Sequence, residues 1–236
     1  MSFLKLTCSS LLLCASTSDA ATLAQMLADS ALDADPIAIA QALQASDCAV
    51  LKLGVKAPLR LALIDYSRPS VDRRLWIFDL QTKALLFSDY VAHGRGSGEN
   101  YAHAFSNREG SLQSSLGLFG TAETYFGAHG RSLRLDGLEP GINDQARARA
   151  IVLHGAKYVD PQLKQSQGRI GRSHGCPAVR PKMVNQVIDK LKGGQMLYVY
   201  YLDQRKPLPK TQANSGKFNL AQSALTRCKF QDSRGK

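Results

Sequence analysis

No stretch of about eighteen apolar residues occurs in the chain, so the sequence offers no membrane-spanning helix. It has neither a Cys-x-x-Cys pair nor a His-Glu-x-x-His run, the two spacings that most often announce zinc. A metal site would have to be assembled from His154, His174 and Cys176, and no spacing favours that set. Internal repeats are missing as well. Acidic residues are outnumbered, 19 against 30 Lys and Arg, which leaves a net charge of +11. That charge suits anionic polymers, lipid head groups or carboxylate-bearing substrates. Nucleic acid is the competing partner, but its recognition motifs are absent and the basic residues are scattered rather than gathered on one helix. Histidine is sparse, five residues with none beyond position 174.

What is present begins with a distinct N-terminus. Lys5 gives a weakly positive start, Leu11 to Ala15 a short apolar run, and Ser18-Asp19-Ala20 small residues at the −3 and −1 positions of a cleavage site. Residues 1–20 therefore read as a secretory signal peptide cut after Ala20; the rival reading is a buried N-terminal helix. A lipid anchor at Cys14 is disfavoured by the bulk of Leu13. Cleavage removes one Lys and one Asp, so the mature chain stays at +11. It also removes Cys8 and Cys14, leaving Cys48, Cys176 and Cys228. An odd count in an oxidising compartment leaves at least one thiol unpaired. A Cys48–Cys228 bridge would staple the ends of the chain, worth roughly 5 kcal/mol in the chain-entropy account. Connectivity stays open, because sequence does not dictate it.

The remaining chain divides by texture. Residues 21–58 form an Ala- and Leu-rich segment with two short helices. Leu23, Met26 and Leu27 carry the first period, and Ile37, Ala40 and Leu43 the second, after Pro36. Residues 59–203 read as one β-rich domain. Strands are expected at Arg60 to Ile64, Leu75 to Leu80, Ala84 to Val91, Gly117 to Phe126, Ser132 to Leu138, Ala150 to Leu153 and Met196 to Leu202. Asn143 to Arg149 reads as a helical turn with Asn143 or Asp144 as cap, and Lys182 to Leu191 as a helix that stops at Gly193-Gly194. Residues 204–236 form a polar tail. The expected fold class is mostly β with a few helices.

The chemically informative run is Gly168-Arg169-Ile170-Gly171-Arg172-Ser173-His174-Gly175-Cys176-Pro177. Arg169, Arg172, Arg180 and Lys182 surround Cys176 with no acid among them, and positive neighbours favour the thiolate. Gly171 and Gly175 let the backbone bend so that N–H groups can face an oxyanion. Gly171 to Gly175 also fits G-x-S-x-G, but the serine elbow needs a preceding strand and a later histidine, and has neither. A papain-like order fails on the same missing histidine. Any histidine base must therefore precede Cys176 or adjoin it: His93, His103, His129, His154 or His174. His154 is best placed, at the end of the apolar run Ala150 to Leu153. Gly94 to Gly98 is not a dinucleotide loop, since Glu99 holds the third glycine's place, and no cofactor is expected.

Ser173-His174-Gly175-Cys176, with His154-Gly155 upstream, resembles the signature of the YkuD-type L,D-transpeptidases. The wider match, from about Arg60 to Leu202, resembles the murein L,D-transpeptidase catalytic domain family and implies a YkuD-like β-rich catalytic domain. The resemblance implies Cys176 as nucleophile, His154 as base oriented by the Gly155 carbonyl, and an oxyanion hole from the Ser173, His174, Gly175 and Cys176 segment. It implies peptidoglycan stem peptides as partners, and an exported, periplasmic or wall-associated location. Many members carry a hydrophobic residue and then Arg after the cysteine; this chain has Pro177 and Ala178, so Arg172 or Arg180 is the candidate grip for the substrate carboxylate. The acyl acceptor is left open between an amine, water and an existing cross-link. A non-catalytic wall-binding protein and a metal-dependent hydrolase are the remaining alternatives.

Overall fold

The computed structural model describes residues 15–202, with side chains from residue 22. The first fourteen residues of the expected leader, the polar tail and Cys228 lie outside the described residues.

Helix α1 (Ala15–Ser30) runs through the expected cleavage point, and α2 (Pro36–Leu53) follows after a short turn. The start of α2 is well determined by its sequence. The Asp35 carboxylate accepts the Ile37 N–H at 2.8 Å, and Pro36 takes the first helical position, where its missing N–H costs nothing. Gly54 ends the helix with φ +65°, a left-handed turn that suits glycine.

The body is an eight-stranded mixed sheet built from β1 (Arg60–Asp65), β2 (Leu75–Asp79), β3 (Ala84–Asp89), β4 (Gly117–Gly127), β5 (Gly130–Gly137), β6 (Val152–Gly155), β7 (Ala178–Val179) and β8 (Met196–Tyr200). Their spatial order is β3-β2-β1-β8-β4-β5-β6-β7. The pairs β1–β8 and β6–β7 are parallel, and the others antiparallel. Both faces are covered, which explains why β1 and β2 read as unbroken apolar runs. Leu61, Leu63, Trp76 and Phe78 pack under α1 and α2. Their alternates Ala62, Ile64, Leu75 and Ile77 point the other way, into a core shared with Ile151, Leu153, Val187 and Leu191. Asp33, in the α1–α2 turn, accepts the Trp76 indole N–H at 2.9 Å and ties the helices to the sheet. Cys48, buried in the helical layer, is disulfide-bonded.

Three local expectations change. Residues 143–149 form turns, with Arg149 N–H reaching Gln145 O, but neither expected cap caps them. Asn143 is spent on β4 instead of a cap: its amide donates to the carbonyls of Leu116 and Leu118, and its oxygen accepts the Glu139 N–H. The strand expected from Ala150 starts at Val152, because Ala150 sits at φ +53°. Strand β7 has two residues, too short for any periodicity to register. Two further helices complete the fold, α3 (Leu163–Gln167) and α4 (Val184–Leu191). The second buries Val187, Ile188 and Leu191, whereas Met183 stands just before it and is partly exposed.

Candidate active site

Strands β6 and β7 run parallel at one end of the sheet, with His154 paired to Ala178 and Gly155 to Val179. The His154 N–H reaches the Pro177 carbonyl at 3.4 Å. Cys176 therefore enters the ladder two residues before the position opposite His154. It is the one free cysteine among the described residues, and it is partly exposed.

The loop that carries Cys176 is held by Ser173, itself buried. The Ser173 hydroxyl donates to the Cys176 carbonyl at 2.6 Å and accepts the Gly175 N–H at 3.0 Å. Its backbone is pinned from the other side: Ser173 N–H donates to His93 O at 2.9 Å and Arg95 N–H to Ser173 O at 2.8 Å. Ser114 adds a bridge, accepting the Gly94 N–H and donating to the Gly175 carbonyl, each at 3.0 Å. Gly175 stands at φ +128°, and a Cβ there would lie 2.9 Å from the Gln113 carbonyl, so glycine is required. With the Gly175 N–H given to Ser173 and the Cys176 N–H turned toward its own sulfur, the His174 N–H is the donor this segment leaves uncommitted among the described residues.

His154 is buried, and its Nδ1 meets the Gly155 carbonyl at 3.1 Å. That contact assigns the proton to Nδ1 and leaves the Nε2 lone pair free to accept another. The ring stacks on His129, from the turn between β4 and β5, with centroids 4.3 Å apart. Burial is the main cause that holds the His154 imidazole below its ordinary pKa, so it is neutral at neutral pH.

The charge pattern around Cys176 differs from the one expected. Burial pushes the thiol up from its ordinary value rather than down, with the Val152 N–H, Arg149 and the residue's own N–H opposing. Arg169 and Arg172 are paired with Glu99 at 2.8 Å and 2.6 Å, and Arg180 with buried Asp89 at 2.9 Å. Both candidate carboxylate grips, Arg172 and Arg180, are thus already matched to acids. The cation that does act on the sulfur is Arg149, which the sequence reading passed over. It sits in an undistinguished basic run, Arg147 to Arg149, and only the turn geometry singles it out. In this resting arrangement Cys176 Sγ lies 3.7 Å from the Ala150 carbonyl, and among the described residues no hydrogen bond links it to His154. Ala150 reaches that carbonyl by adopting positive φ, which costs a non-glycine residue roughly 1–3 kcal/mol.

The other histidines divide cleanly. His174 and His103 are exposed. His93 is fully buried; its Nδ1 accepts from the buried Arg74 guanidinium at 2.8 Å, so its Nε2–H faces the Gly98 carbonyl at 3.3 Å. Desolvation first, and Arg74 second, lower its pKa to about 3. Arg74 and His93 therefore brace the floor of the Cys176 loop. Among the described residues no three His, Cys, Asp or Glu side chains gather as metal ligands would.

A family model described as L,D-transpeptidase catalytic domain matches residues 31–200 and so takes in α2 as well as the sheet. No curated protein matches the sequence. Among known structures, the chain is similar to an L,D-transpeptidase from Mycobacterium smegmatis, with 14% identity, 60% of this chain and 58% of that chain covered, and a TM-score of 0.37. It is similar to the L,D-transpeptidase from Xylanimonas cellulosilytica, with 15% identity, coverage of 77% and 93%, and a TM-score of 0.36. It is also similar to the helical cell shape determining protein from Campylobacter jejuni, with 13% identity, coverage of 70% and 52%, and a TM-score of 0.41. The match therefore spans under two thirds of the mycobacterial and Campylobacter chains.

Proposed function

The chain belongs to the L,D-transpeptidase catalytic domain family, and we propose that within it this protein is a cysteine acyltransferase acting on peptidoglycan stem peptides. The observation that carries the reading is a free thiol placed just ahead of β7, two residues before the position paired with His154, whose imidazole tautomer is fixed by the Gly155 carbonyl. An exported, wall-associated protein is the setting this activity requires.

Both groups rest neutral, so the chemistry begins with a proton transfer. The sulfur turns from the Ala150 carbonyl, and His154 Nε2 takes the S–H proton as sulfur attacks the carbonyl carbon between an L-centre and a D-centre. The N–H groups of Cys176 and His174 face the developing oxyanion, the former released as the sulfur turns. Collapse breaks the C–N bond, the His154 proton passes to the departing D-residue's amine, and a thioester on Cys176 is left. An amine of a second stem then attacks the thioester, gives its proton to His154, and the thiolate departs and is reprotonated. Water in place of the amine would make the protein an L,D-carboxypeptidase by the same intermediate.

Incubation with purified stem tetrapeptide, followed by intact-protein mass spectrometry, tests this. The expected product is an acyl adduct on Cys176 equal to the stem less its terminal D-residue, absent in Cys176→Ala. Retained murein binding with no adduct would instead mark a non-catalytic wall-binding protein.

A further inference from the structure

We propose that Arg149 is a positioning residue for this chemistry: a fixed cation, laced to the 106–115 segment, that stabilises negative charge on the Cys176 sulfur as its proton leaves. The inference rests on Cys176 being the nucleophile and adds a residue that the sequence motif does not contain.

Three observations carry it. First, Arg149 is close to the sulfur's own loop. A methyl placed on Gly175 would lie 3.5 Å from Arg149 Nη2, and the thiol itself rests against the carbonyl of the next residue, Ala150. Second, its acceptors are neutral. Nη1 donates to Ser106 O and Ser115 Oγ, each at 2.6 Å, and Nη2 to Gln113 O at 2.7 Å and Ser111 Oγ at 3.3 Å. Among the described residues no carboxylate cancels its charge, whereas Arg169, Arg172 and Arg180 all have one. Third, four acceptors fix both terminal nitrogens, so the group is a held charge rather than a mobile ligand for substrate.

The remaining groups that interact with the sulfur do not compete. The Tyr66 and Tyr158 hydroxyls are both pushed up by burial and stay neutral. Arg149 and Cys176 influence each other reciprocally, the guanidinium favouring the thiolate and the thiolate favouring the guanidinium. The strained Ala150 backbone is explained by the same device, because the turn at φ +53° aims the carbonyl at the thiol while its neighbour's guanidinium reaches the loop. Before ionisation the corner offers an acceptor; during it, a cation.

The test reads the free thiol and needs no substrate. The rate of Cys176 alkylation by iodoacetamide is followed against pH in the full chain, with far-UV circular dichroism to check folding. Arg149→Gln should move the ionisation curve up by about one unit and slow alkylation at pH 7 about tenfold. Arg149→Lys, which keeps the charge, should retain most of the wild-type curve. Ser115→Asp puts a carboxylate beside Arg149 Nη1 without removing the arginine, and should shift the curve as Arg149→Gln does even if that variant folds poorly. The proposal is overturned if Ser115→Asp or a folded Arg149→Gln leaves the curve unmoved, or if Arg149→Lys shifts it as far as Gln. Curves that shift as expected while stem tetrapeptide forms no adduct would uphold Arg149 and reject the acyltransferase reading.

Discussion

Replacing Ser173 by Ala would separate holding the thiol from reacting with it. The Ser173 oxygen is the sole link between the Gly175 N–H, 3.0 Å away, and the Cys176 carbonyl, 2.6 Å away. The residue is only 4% exposed, so water does not readily replace the hydroxyl. Each buried backbone group left without a partner costs roughly 1–3 kcal/mol, which makes a loss of about 4 kcal/mol for the pair the centre of the range. For a domain of this size about 4 kcal/mol lowers the melting temperature by about 8–16 °C. The loop also loses the brace that sets the Cys176 backbone, and a displacement of about 1 Å at a reacting atom can cost about a hundredfold in rate. Thermal melting by circular dichroism and acylation of Cys176 by stem tetrapeptide are the two measurements. Both should fall together. A variant that melts within about 2 °C of the parent and acylates at the parental rate would refute the reasoning, because the hydroxyl would then be holding nothing.

Other perturbations test separate parts of the structure. His93 has a folded pKa of about 3, below its unfolded value of about 6.5, so the unfolded chain binds its proton first. Its contribution is intact above about pH 6.5 and drains away as pH falls toward 3, with up to about 5 kcal/mol at stake; urea melts across that range should show the decline, and His93→Gln should flatten it. Gly94→Ala puts a Cβ 2.4 Å from Leu112 O and 2.8 Å from Gly175 Cα, so both stability and Cys176 acylation should drop, the former by about 1–3 kcal/mol. Asp35→Ala removes the cap of α2 on the opposite face of the sheet; it should cost about 1 kcal/mol in thermal melts and leave alkylation of Cys176 unchanged. A change in alkylation there would show that the helical layer is coupled to the site.

The fold was readable where burial imposes a period or where one residue type punctuates the chain. Pro36 and Gly54 bracket α2, and the apolar runs at Leu61 to Ile64 and Leu75 to Phe78 are the doubly covered centre of the sheet. It was least readable where side chains take over the work of the backbone. Asn143 looks like a cap but ties a turn to β4, and β7 is defined by its neighbours rather than its own two residues. The same division holds at the site. Cys176 and His154 stood out as candidates because residue type and order restrict the chemistry, and Ser173 only as part of the family signature. The counting of nearby arginines misled, since sequence proximity ignores Glu99 and Asp89, which arrive from 70 to 91 positions away. Arg149 was invisible for the converse reason. The role proposed for it rests on its having no acid partner among the described residues, and that is a property of the assembled turn.

The last described strand, β8, lies in the middle of the sheet, hydrogen-bonded to β1 on one side and β4 on the other. Until Met196 to Tyr200 have been synthesised, the chain owns two half-sheets with no seam between them. The ribosome therefore delivers every residue of the reactive corner before the strand that locks its platform. Closing a pairing of such long sequence separation is a slow event. A chain truncated just ahead of residue 196 would keep His154 and Cys176 yet expose two unpaired edges, each a template for aggregation. The half-sheet that carries His154 and the Cys176 loop is therefore joined to the other half only when residues 196–200 arrive.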